Sequence, residues 1–141
     1  MNSYLNSMPY NMIHLCLDEW CEQQVGNAYN STLKKPIVFY DIMDCILQMD
    51  HVFSCNGNPQ ASQVKRSFDC KHIQECYQNK PYTYVNYHQY HQYSGKIGTF
   101  DIVVKSRRES TWQGVLFYGD KSESFTNILE LIYKIERYLS I

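Results

Sequence analysis

The chain predicts an α+β fold: two strand-strand-helix units join their strands into one antiparallel sheet and lay both helices on one face, with a tyrosine-rich segment between the units. Three observations carry this prediction. The stretch FYDIMDCILQMDHVFS, from Phe39 to Ser54, is echoed by FTNILELIYKIERYLS, from Phe125 to Ser140, with apolar and acidic positions in step. Alternating apolar residues lie well upstream of each copy, Ile13, Leu15 and Leu17 in one half and Phe100, Ile102 and Val104 in the other. Between that alternation and the leading phenylalanine, each half passes through a glycine-containing stretch, at Gly26 and at Gly114. A length of 141 residues suits one domain with its own core, divided into a first unit (11–54), a middle segment (55–98) and a second unit (99–141).

In chain order, Ile13, Leu15 and Leu17 read as a half-buried strand. A helix over 11–24 competes, because Ile13, Cys16, Leu17 and Trp20 also fit a helical stripe that Gly26 would end. Gln24, Val25 and Gly26 then lead a short strand through Ala28 and Tyr29. The first echoed segment places Ile42, Ile46, Met49 and Phe53 on one face of a helix, with Asp41 able to cap it and Asp44 in its first turn. Turn formers from Ser54 to Pro59 should stop it. The middle segment suggests a short helix over Asp69 to Gln78 and a strand over Tyr82 to Tyr87, before HQY occurs twice from His88 to Tyr93 and a connection follows at Gly95 and Gly98. In the second unit, Phe100 to Val104 is a strand, Ser106 to Ser110 a turn, and Val115 to Tyr118 the returning strand. A helix capped by Asn127 and bearing Ile128, Ile132 and Ile135 closes the unit. The sheet so assembled has about four or five strands.

Composition narrows the function classes. A net charge of −1 and a charged fraction of 19% give no electrostatic footprint for duplex DNA. No run approaches a membrane span, and Met1 to Tyr10 lacks the basic start and apolar centre of a signal peptide, so the expectation is a cytoplasmic protein without membrane contact. Six cysteines, Cys16, Cys21, Cys45, Cys55, Cys70 and Cys76, then read as small apolar or surface residues rather than disulfides. Cys70, His72, Cys76, His88 and His91 fall within one stretch, but a zinc site usually announces itself by Cys-x-x-Cys, which is absent. Neither a metal nor a cofactor is expected. No nucleophile-base pairing and no phosphate loop stands out, so the chain reads as a non-enzyme, with a zinc- or His-dependent enzyme ranked last.

The residues left to carry function are Tyr82, Tyr84, Tyr87, His88, Tyr90, His91 and Tyr93, with Arg107 and Arg108 at the tip of the second hairpin. Tyrosine offers large contact area at little side-chain entropy, which suits a protein partner. The alternative is single-stranded RNA or DNA stacked on the same rings, although Lys80 and Lys96 are the only lysines near the tract to follow a phosphate backbone. A homodimer is compatible with either reading.

Trp112, Gln113 and Gly114, followed by Phe125 and the helix from Ile128 to Ile132, resemble a group of short proteins from Firmicutes and their mobile elements. That group combines a strand, a Trp-Gln-Gly second strand and a helix opened by phenylalanine. The resemblance covers about the last 42 residues and, more loosely, the first 54, where Gln24, Val25 and Gly26 replace the tryptophan-containing form; it also takes in Pro59 to Ser62 and Arg66 to Phe68. It implies a fold unit and a mobile-element setting, and carries over no catalytic or binding residue. By analogy with that setting, the expected function is a small inhibitor of a host defence effector such as a CRISPR nuclease.

Overall fold

The computed structural model describes residues 9–57 and 92–139. These residues form an α+β structure of six antiparallel strands and two helices. After a 3-10 turn at Pro9–Asn11 come β1 (Met12–Trp20), β2 (Gln24–Tyr29), β3 (Ile37–Phe39) and α1 (Ile42–Asn56). The second half supplies β4 (Gly98–Ser106), β5 (Gln113–Tyr118), β6 (Lys121–Phe125) and α2 (Ile128–Leu139). The helix proposed for 11–24 does not form, because that stretch pairs with a strand on each side, as β1 between β2 and β4. The short helix and the strand expected in the middle segment lie outside the described residues.

Strand order is β3-β2-β1-β4-β5-β6, so the first half of the chain builds one side of the sheet and the second half the other. They meet along β1 and β4, where Ile13 stands across from Ile102 and Leu15 across from Phe100. Each half has one strand more than the two expected from sequence, β3 in the first and β6 in the second, and both extra strands end on the leading phenylalanine of the echoed segment. Phe39 pairs with Gly26 across β3 and β2, and Phe125 pairs with Gly114 across β6 and β5. Both glycines are sterically required. A Cβ on Gly26 would lie 2.1 Å from the Cys16 carbonyl oxygen, and one on Gly114 would lie 1.9 Å from that of Val103. Register shifts fall between Leu17 and Glu19 in β1 and between Val104 and Ser106 in β4.

The helices start as their caps require. The Asp41 carboxylate accepts from the Met43 N–H at 2.8 Å, and Asn127 Oδ1 accepts from the Glu130 N–H at 2.7 Å. α1 runs past Ser54 to Asn56 and stops at Gly57, whose φ of 70° is the left-handed cap conformation glycine adopts freely. Ile42, Cys45, Ile46, Met49 and Phe53 of α1 and Leu131 and Ile135 of α2 join Ile13, Leu15, Leu17, Phe100, Ile102, Val104, Trp112 and Leu116 in one apolar cluster. Both helices therefore pack on the same sheet face. The alternate residues of β1, namely Met12, His14 and Cys16, are buried as well, and so is Val103 of β4, so the sheet's centre is shielded from water on both faces.

Side-chain hydrogen bonds also tie each helix to the opposite half. Trp20, at the end of β1, donates its indole N–H to Glu136 of α2 at 3.0 Å. Arg107, just past β4, donates to the Asp50 carboxylate and carbonyl of α1, both at 3.1 Å, and to the Ser54 hydroxyl at 2.9 Å. The Trp112 indole N–H reaches the same Asp50 oxygen at 2.9 Å.

Candidate functional site

Two places on the described surface combine side chains in ways that packing alone does not require. The first is the cleft between the edge strand β3 and α1. β3 ends the sheet, so its outer backbone edge has no neighbouring strand among the described residues. Phe39 turns into the core and Ile37 turns toward α1, where it meets Leu33, Leu47, Gln48, His51 and Val52 around an open groove of about 390 Å³. Leu47 is 65% exposed, and Met43, one turn earlier, is exposed too. These positions follow from the helical repeat: Ile42, Ile46 and Met49 take the core face, which leaves Met43 and Leu47 outside it. The equivalent residues of the echoed helix, Leu129 and Tyr133, are likewise exposed, Leu129 at 77%.

The second place is a polar row across the sheet's other face. Tyr29, His14 and Asp101 are direct cross-strand neighbours on β2, β1 and β4. His14 donates from Nδ1 to Asp101 Oδ1 at 2.7 Å and from Nε2 to the Tyr93 carbonyl at 2.8 Å. A carbonyl oxygen can only accept, so Nε2 carries a hydrogen, and the carboxylate takes the other. Burial would by itself depress the imidazole's pKa, but the Asp101 bond, the Cys16 side chain and the Tyr93 carbonyl outweigh it and raise it to about 10. The Tyr93 ring stacks on Tyr29 at 4.8 Å, with planes 6° apart. Asp18 accepts from the Lys96 N–H nearby.

Of the residues singled out from sequence, Tyr82, Tyr84, Tyr87, His88, Tyr90 and His91 lie outside the described residues, while Tyr93 is an exposed member of the stacked pair. Arg108 is exposed, as expected for a turn. Arg107, also expected at the tip, is 5% exposed and spends its guanidinium on Asp50 and Ser54 of α1. The groove and His14 were not found from sequence. The groove needs β3 to be recognised as a strand, and His14 gains meaning only from the register that sets Asp101 opposite it.

Among the described residues, no three His, Cys, Asp or Glu side chains gather as a metal cluster. No described helix is long and apolar enough to cross a membrane. Comparison with protein-family models, with curated proteins and with solved structures finds no match.

Proposed function

We propose that the protein is a non-enzymatic protein-binding module that takes an extended segment of its partner along β3 and into the groove beside α1. The groove is the observation that carries this reading: apolar walls from Leu33, Ile37, Leu47 and Val52 adjoin a terminal strand. A peptide added to such an edge gains main-chain hydrogen bonds from the strand and side-chain selectivity from the adjoining pocket. The resemblance to mobile-element proteins directs the choice of partner to a host defence effector such as a CRISPR nuclease, in a cytoplasmic setting.

The test is retention of a partner by the purified, nuclease-treated chain, followed by reconstitution with the identified protein. Leu47→Glu should abolish retention, and Leu129→Glu, at the equivalent position of the other helix, should not. Retention that survives Leu47→Glu but is lost when Tyr84, Tyr87 and Tyr90 are all replaced by Ala would move the surface to the middle segment and sink the groove reading.

Single-stranded RNA or DNA on the tyrosines is the second reading, favoured by the parallel Tyr29–Tyr93 pair. Asp18, whose charge reaches Tyr29, weighs against it, since a phosphate backbone passing the pair would meet that carboxylate.

We also read the halves as two copies of one strand-strand-strand-helix unit. The mirrored strand order, the glycine-phenylalanine pairs, the matching register shifts and the equivalent exposed positions on α1 and α2 support that reading.

A further inference from the structure

On α1, His51 and Cys55 stand one helical turn apart, both exposed, with the Cys55 Sγ 3.5 Å from the His51 Nε2. A tetrahedral zinc ion held by one thiolate at about 2.3 Å and one imidazole at about 2.0–2.1 Å sets its sulfur and nitrogen donors about 3.6 Å apart. The two side chains already stand at that separation. They also occupy the end of the helix, where the aligned carbonyls favour positive charge and no basic residue of α1 supplies it. Arg107 reaches the neighbouring row of α1 at Asp50 and Ser54, and the Asp50 carboxylate balances its charge. Gln48 and Val52, with His51 on the groove wall, leave the approach from the cleft side uncharged.

We propose that His51 and Cys55 form a two-donor site for a soft divalent metal ion of the zinc class, with water completing the coordination in the isolated protein. The Cys55 thiol gives its proton to the buffer as the sulfur–metal bond forms, and the neutral His51 ring coordinates through Nε2. Binding therefore releases a proton and strengthens as pH rises. This site stands on its own geometry and does not rest on the partner-binding reading.

The test uses the full chain, reduced and metal-free, treated with a thiol-alkylating reagent with and without Zn²⁺, the modification of each cysteine being followed by peptide mass spectrometry. Cys21, also exposed, is the internal reference. Zn²⁺ should slow alkylation of Cys55 about tenfold relative to Cys21, and His51→Ala or His51→Gln should remove that protection, since even an outer-shell loss costs a metal site on the order of 10–100-fold. Both variants change an exposed ring and should keep the far-ultraviolet circular dichroism of the parent. Equal alkylation of Cys55 with and without Zn²⁺ overturns the proposal. So does protection that persists in both His51 variants, because it assigns the metal to other donors.

Discussion

His14 holds two acceptors at once and so places a cation at the centre of the sheet. Because its folded pKa, about 10, lies above the ordinary 6.5, the stabilisation it brings is fully present below pH 6.5 and is lost as pH rises toward 10. Urea midpoints measured across that range should fall with pH, and Asp101→Asn should flatten the decline while costing about 3 kcal/mol, the scale for unpairing a buried charge. Gly26→Ala and Gly114→Ala should each cost about 1–3 kcal/mol, since the new methyl meets a backbone carbonyl that cannot move aside without breaking the ladder. Cys45, buried with its thiol pushed up to about 12, should resist alkylation in the native protein. The alternation of Ile13, Leu15 and Leu17 was enough to put His14 on the opposite face from the core. It was not enough to find its partner, because Asp101 lies 87 residues away and is brought opposite only by the pairing of β1 with β4.

At the scale of elements, the helices were legible and the edge strands were not. Asp41 and Asn127 cap where expected, and the apolar stripes point where the repeat sends them. β3 spans three residues, too few for an alternating pattern to register, and β6 reads KSESF, with Phe125 its one apolar residue. The pairing of each with a longer neighbour makes it a strand, and that information is not local. The groove was hidden for the same reason. Arg107 shows a related limit: two adjacent arginines look alike in sequence, yet one is tied to α1 and the other is exposed. Arg107→Ala should therefore destabilise the chain by about 2–3 kcal/mol in chemical denaturation, through the lost bonds to Asp50 and Ser54. Arg108→Ala should stay within about 0.5 kcal/mol of the parent, as surface changes do.

At the scale of the molecule, the seam between β1 and β4 joins residues 12–17 to residues 98–103, the widest sequence separation of any strand pair in the sheet. Closing so long a loop before its contacts form slows folding, so stopped-flow refolding should run in milliseconds to seconds rather than microseconds. The crossed bonds from Trp20 to Glu136 and from Arg107 to Asp50 tie each helix to the other half, which makes the two halves interdependent in the native state.

A sheet built outward from such a seam also has two ends, and they are unlike. If β3 of one molecule met β3 of another, the contact would close on itself, whereas β3 against β6 would leave a fresh edge at each step and grow without limit. The brevity of β3 and the exposed Lys121 on β6 are the features that discourage such a filament.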